Sequence, residues 1–394
     1  MKNKNSWLVR IAILLISIDA ASASIVSGAI PLMKKVFNNV ASSTIESAAT
    51  LPSISILIFI LLSPYVAAKL GTKKTSLLGL GVAAIFGVLP FFVHDIYLIL
   101  ICRFIYGAGV GLINPLVYTV INHVYSGTEQ AEMIGYGSSF TNIVNIILTY
   151  TVGFLLPLGW NYSFLAYGLI FVIFLLVWMF SPDVKPKVKA KSKSKETKDH
   201  LGFAAWKYIL FMYVTYIAML LYTIKYAQVV VMNGFGTPQQ ATFILGLVNF
   251  INIIVGLIFG KLFKKIGRSI IVVGYVMLLI AYMLIPITAN IYLSALLVIV
   301  CAFGAGFVAS YIFFELFQIV SPKISERISG YALVAINLGI FSSTYVGGFV
   351  ANVFNNNTPG FGIWTAAALI AILIIIQLVT IGVDKKAEDK YRQK

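Results

Sequence analysis

Long apolar runs recur along this chain, each close to the length needed to cross a bilayer. A helix needs about 20 apolar residues to span the hydrocarbon core. That window predicts helices over 10–33, 48–68, 75–93, 97–121, 134–157 and 162–181, then 206–231, 240–260, 270–288, 292–317, 330–353 and 362–383. Helix breakers fall between them, at Gly71-Thr-Lys-Lys74, Val93-His-Asp95, Ser181-Pro-Asp183, Gly234-Phe-Gly-Thr-Pro238 and Asn355-Asn-Asn-Thr-Pro-Gly360. The fold class expected is an all-α integral membrane protein with 12 transmembrane helices.

The polar residues between spans set the orientation. With the N-terminus inside, nearly every Lys and Arg lies in an inner loop or at a terminus. Only Lys34 and Lys35 fall outside, and only Arg103 and Lys225 fall well within spans, Arg10 and Lys207 standing at the inner edges of theirs. Cytoplasmic loops collect basic residues, so both termini are predicted to be cytoplasmic, in a multi-pass protein of the plasma membrane. The first span starts basic and contains Ala20-Ala-Ser-Ala-Ser24, as a cleaved leader would. Its apolar stretch is too long for a leader, however, and Asp19 interrupts it, so it is read as a true span.

Composition agrees with this pattern: 60% of the 394 residues are hydrophobic and 11% charged. A soluble globular enzyme, a disordered chain and a nucleic-acid-binding domain are excluded on that balance. The net charge of +16 follows from the basic inner loops and needs no nucleic-acid partner. Two cysteines and three scattered histidines offer neither a disulfide framework nor a metal site, so no metal and no cofactor is expected. No Gly-x-x-x-x-Gly-Lys-Ser/Thr loop is present, which leaves an ion or solute gradient rather than ATP as the power source.

Residues 182–202 form a basic linker with seven lysines and no apolar periodicity. It divides the chain into an N-terminal six-helix bundle, 1–181, and a C-terminal one, 203–394. The halves repeat. Lys69-Leu-Gly71-Thr-Lys73 follows span two, and Lys265-Ile-Gly267-Arg268 follows span eight, 196 residues later. Gly107-Ala-Gly109 in span four returns as Gly304-Ala-Gly306 in span ten, 197 residues later. Parallel repeats of this kind place a substrate site near the midplane, between the halves.

With these motifs the chain resembles the major facilitator superfamily over essentially its whole length. The family's loop signature after span two is Gly, three residues, Asp, a basic residue, any residue, Gly and a basic pair. This chain reads Pro64-Tyr-Val-Ala-Ala68-Lys69-Leu-Gly71-Thr-Lys73-Lys74, with Pro64 for the first Gly and Ala68 for the acid. The second copy, Gly260-Lys-Leu-Phe-Lys264-Lys265-Ile-Gly267-Arg268, also lacks the acid. Arg103-Phe-Ile-Tyr106-Gly107-Ala-Gly109 is similar to the family's span-four signature. Leu15-Ile-Ser-Ile-Asp19 with Pro31 is similar to the drug:proton antiporter branch. Span five, Asn145-Ile-Ile-Leu-Thr149-Tyr-Thr-Val-Gly153, departs from that branch in having no Gly-Pro pair. The resemblance implies a gating role for Lys69, Gly71, Lys73, Lys265, Gly267 and Arg268.

Ionisable groups inside spans are costly and mark functional positions. Asp19, Arg103, Lys225 and Glu315 qualify. Asp19, near mid-depth, and Glu315, near the inner end of span ten, are the proton-coupling candidates, because desolvation raises a carboxyl pKa towards neutrality. For Glu315 the other reading is an interfacial carboxylate paired with a loop lysine. Arg103 keeps its proton and can only pair or bind an anion, with a fixed Asp19–Arg103 pair as the structural alternative. Lys225 either meets an anionic substrate or snorkels to the outer interface. Asn114, Asn142, Asn145, Asn249, Asn252 and Asn337, with Tyr222 and Tyr311, complete the substrate-binding candidates. Asn142 and Asn145 share one helix face, as do Asn249 and Asn252. The function expected is secondary active transport of a small amphipathic organic solute by alternating access. The antiporter resemblance implies proton-coupled efflux. Organic-anion uptake or exchange and lipid flipping are the alternatives. The expected partners are substrate, protons and the lipid bilayer, and the chain is expected to act as a monomer.

Overall fold

The structure, a computed structural model, describes residues 7–16, 21–184, 203–318 and 325–392. The regular elements among them are all helical. Eleven described helices are long and apolar enough to cross a membrane, and they correspond to predicted spans two to twelve. The chain divides into two compact units, 1–192 with 238–249, and 193–237 with 250–394. The division falls inside the span-eight helix Pro238–Ile266. The bounds predicted for the two bundles assign all of that helix to the second.

Span one is not a single helix. An α-helix over Trp7–Leu14 is followed, beyond residues 17–20, by a short α-turn at Ala21–Ser24. A 3-10 segment at Ile25–Ala29 and an α-helix over Ile30–Val36 complete the span. Span two, Ser42–Leu70, carries Pro52 and Pro64 in its interior. A proline has no N–H to donate, so it orphans the carbonyl four residues earlier. Lipid supplies no replacement donor, so a neighbouring span must.

Spans three (Thr72–Val88) and four (Ile96–Ile113) cross at Gly79 and Gly109. A Cβ on Gly109 would lie 2.5 Å from the Gly79 carbonyl oxygen, and one on Gly79 would lie 2.7 Å from that of Gly109. Spans nine (Ser269–Leu284) and ten (Ile291–Gln318) cross in the same way. The corresponding distances at Gly274 and Gly304 are 2.9 and 2.6 Å. Small residues let the backbones approach this closely. Gly79 and Gly274, and Gly109 and Gly304, are each 195 residues apart. The structure therefore matches Gly304-Ala-Gly306 to Gly109-Val-Gly111, and not to Gly107-Ala-Gly109 as the sequence pattern suggested. Gly107 serves a different contact, since a Cβ there would overlap the Pro52 carbonyl oxygen of span two.

Candidate functional site

In the first unit the chemistry gathers around Arg103, which is fully buried. Its Nε donates to the Ala48 carbonyl at 2.7 Å. Ala48 lies four residues before Pro52, so this is the carbonyl that the proline orphans. The Nη2 atom donates to the Ala23 carbonyl of span one. The guanidinium carbon lies 4.7 Å from the ring centre of Tyr106 and 5.1 Å from that of Tyr167. Cations over ring faces are attracted by the ring quadrupole, more so when desolvated. Both phenols reach span one, Tyr167 donating to the Ser22 carbonyl at 2.8 Å and the Tyr106 hydroxyl meeting Ser22 Oγ at 2.7 Å. Asp19 lies outside the described residues, as does any pairing it makes with Arg103.

Other buried charges are also held within their unit. Glu46, 2% exposed, takes Lys34 at 2.7 Å. The predicted span two begins two residues after Glu46, and for that reason the carboxylate escaped the sequence reading. In the second unit, Glu315 is buried and bound by Arg268 of the span-eight loop at 3.2 Å. Of its two readings the ion pair is present, with arginine in place of lysine. Lys207, expected in an inner loop, is buried, and its Nζ reaches Gln377 Oε1 and Thr380 Oγ1 of span twelve, each at 3.2 Å. In the first unit Arg10 also pairs with Glu129. Burial pushes the neighbouring Tyr125 phenol up from its ordinary pKa, and Arg10 partly offsets this.

The gating loops are turns that glycine permits. Gly71 and Gly267 adopt φ of +87° and +57°, a left-handed region that glycine enters without Cβ strain. Asp183, which reads in sequence as part of a helix breaker, folds back over the first of these turns. Its Oδ1 accepts from the Lys73 N–H at 3.2 Å, while Thr72 N–H donates to the Val184 carbonyl at 2.8 Å. The Ala68 loop thus has a carboxylate at the start of span three, drawn from the end of span six. The side chains of Lys69 and Lys265 are exposed.

The polar candidates fall in both units. Asn114 caps the first part of span four, next to Pro115. Asn145 is buried and Asn142 half-buried, one turn apart in the span-five helix Gly127–Leu155. Asn249 belongs to the first unit and Asn252 to the second, both half-buried. Asn337 is buried in the span-eleven helix Ser325–Val353, donating from Nδ2 to the Leu333 carbonyl. Tyr222 stacks on Tyr282 at 4.9 Å, with the Cys301 thiol beside both hydroxyls. Tyr311 packs against Tyr208, 6.2 Å between ring centres. Tyr208 and Tyr222 are 14 residues apart on the span-seven helix Phe203–Met232, so roughly 20 Å of helix separates the two aromatic groups. The Lys225 stem lies against span twelve, with Cγ and Cε each 3.0 Å from where a Cβ on Gly362 would stand. Trp160, just before the span-six segment, is buried against Phe37 and Phe164.

Two helical units that share a glycine crossing and a loop turn at nearly one offset have the architecture of a secondary transporter built from parallel repeats. The chain belongs to the Major Facilitator Superfamily, whose family profile matches residues 12–344. "Protein TsgA homolog" of Buchnera aphidicola subsp. Acyrthosiphon pisum is 26% identical over 165 residues, 41% of this chain and 42% of that protein. "Uncharacterized transporter YycB" of Bacillus subtilis is 26% identical over 171 residues, 42% of this chain and 40% of that protein. The chain therefore spans about two fifths of the length of these curated relatives. Among solved structures, a point mutant of the nucleoside transporter NupG superposes with a TM-score of 0.72 at 16% identity, over 94% of this chain and 99% of that one. A D-xylose-proton symporter superposes at 0.69 with 18% identity, over 94% and 96% of the two chains. These similarities show the fold: an all-helical membrane protein of the superfamily.

Proposed function

We propose that this chain is a proton-coupled antiporter that exports a small amphipathic organic solute, neutral or cationic rather than anionic. The environment of Arg103 carries this reading. A counter-charge for an anionic solute must be reachable, and Arg103 is fully buried, held by two backbone carbonyls and covered by aromatic rings. Lys225 lies half-buried with its stem against Gly362. Aromatic residues make up 14% of the chain, which suits a lipophilic solute better than a sugar, whose hydroxyls each need a partner. Asp19 is proposed as the proton carrier, because a carboxyl at mid-depth is destabilised when charged.

The test is uptake into proteoliposomes with and without an imposed pH gradient, comparing a dye cation (ethidium), a dye anion of similar size (fluorescein), uridine and D-xylose. Gradient-driven movement of the cation alone is the result expected. Anion movement abolished by Arg103→Gln or Lys225→Gln would favour organic-anion exchange instead. Movement of uridine or xylose alone would favour the chemistry named for the two fold relatives.

A further inference from the structure

We infer that Arg103, Tyr106 and Tyr167 act as positioning residues, a three-residue clamp on the irregular part of span one that sets the balance between transport states. This rests on the alternating-access reading and does not depend on proton coupling. The α-ladder of span one gives way at Ser24 to the 3-10 segment Ile25–Ala29, whose hydrogen bonds are poorer and leave carbonyls open to other donors. Three side-chain groups meet the short α-turn Ala21–Ser24 just before this segment. Tyr167 takes the Ser22 carbonyl, Arg103 the Ala23 carbonyl, and Tyr106 the Ser22 hydroxyl. All three side chains are fully buried.

The clamp also reaches span two, because the same guanidinium takes the carbonyl that Pro52 orphans. One planar fork thus ties two weakened helices, a geometry that the single ammonium of lysine does not reproduce. Space for the clamp is built into span three, where a Cβ on Gly87 would lie 2.7 Å from Tyr167 and 3.3 Å from Tyr106. Among the described residues, Arg103 Nη1 has no hydrogen-bond partner. The charge is therefore held mainly by carbonyls and rings, as suits a part that fixes backbone. A broken membrane helix is held where neighbouring groups re-satisfy its backbone, and such breaks are where transporter helices change arrangement.

The test needs no substrate. Hydrogen exchange in nanodiscs is followed for peptides covering 22–30 in wild type, Tyr167→Phe, Arg103→Gln and Arg103→Lys. Electron-spin distance distributions are recorded in the same proteins between labels on Asn38→Cys and Asn357→Cys, two exposed outer-loop positions. The native cysteines are buried. Both arginine variants should speed exchange over 22–30 at least tenfold and change the ratio of the two distance populations at least threefold. Tyr167→Phe should do the same to a smaller degree. Full restoration by Arg103→Lys would show that charge alone matters and would overturn the clamp. Faster exchange with an unmoved population ratio would make these residues merely structural, and unchanged exchange would remove the contact altogether. Loss of proton-driven transport plays no part in either readout, so the antiport proposal and the clamp fail separately.

Discussion

At the crossing of spans three and four, Gly87 lies beneath Tyr106 and Tyr167. The positions 195 residues on are Tyr282, Cys301 and Gly362. Large and small residues have changed places. In the second unit, Tyr282 fills the space with Tyr222 stacked on it at 4.9 Å, and Lys225 occupies the room left at Gly362. The charge has moved as well, since Arg103 corresponds to the fully buried Val298. The first unit therefore holds its cation on span four and joins it to span-one and span-two carbonyls. The second places a lysine on span seven and builds its core from stacked phenols. A duplicated fold keeps backbone geometry at the glycine crossings, while large and small side chains are redistributed around them.

The largest expected effect comes from emptying the second arrangement. Tyr282→Ala should destabilise the protein by roughly 3–5 kcal/mol, the range for removing a buried aromatic ring, read as a drop in thermal midpoint in detergent. Cys301→Tyr alone should also destabilise by overpacking. Combined with Tyr282→Gly it recreates the first unit's pattern and should recover part of the loss. If the double variant is no better than the sum of the singles, the volume exchange is not a unit.

Next in size is the shared crossing. Gly109→Ala and Gly304→Ala each place a methyl about 2.5–2.6 Å from a facing carbonyl, and overpacking of this kind costs about 1–3 kcal/mol. Similar losses at the two positions support the 195-residue register. Gly256→Ala is the control, because nothing lies within 4 Å of its Cβ position, and a helical Gly→Ala change there should stabilise by roughly 0.5–1 kcal/mol.

The smallest effect should come from Asp183→Asn. It removes a negative charge from the start of span three, where the helix dipole favours an anion by about 0.3–1 kcal/mol, and weakens the contact with the Lys73 N–H. Glu315, which holds the second loop through Arg268, should be untouched. Faster proteolysis confined to the residues around 183 is therefore the expected readout. Equal protection in the variant would remove the substitute-acid role of Asp183.

Much of this architecture is legible in the sequence because bilayer thickness fixes helix length and basic residues collect in the inner loops. The repeat was visible through its glycines, but a Gly-Ala-Gly string does not reveal which glycine faces which carbonyl, so the register was two residues out. Pro52 carried a readable signal, because an interior proline orphans the carbonyl at Ala48 and demands a donor. Sequence does not say that the donor is Arg103, 51 residues further on. Glu46 escaped because it precedes the apolar window, and Asp183 because its partners are backbone groups of a distant loop. The proposed roles of Asp19, Tyr222 and the asparagines rest on residue type and depth.

The most direct measurement of the proposed mechanism is ethidium transport by Asp19→Asn in proteoliposomes, recorded once with a pH gradient and once as exchange at equal pH. The amide keeps the side chain's shape and loses its titratable proton. Proton coupling at Asp19 predicts that gradient-driven accumulation disappears while exchange at equal pH persists. Accumulation equal to wild type would contradict it and move the coupling site elsewhere in the chain.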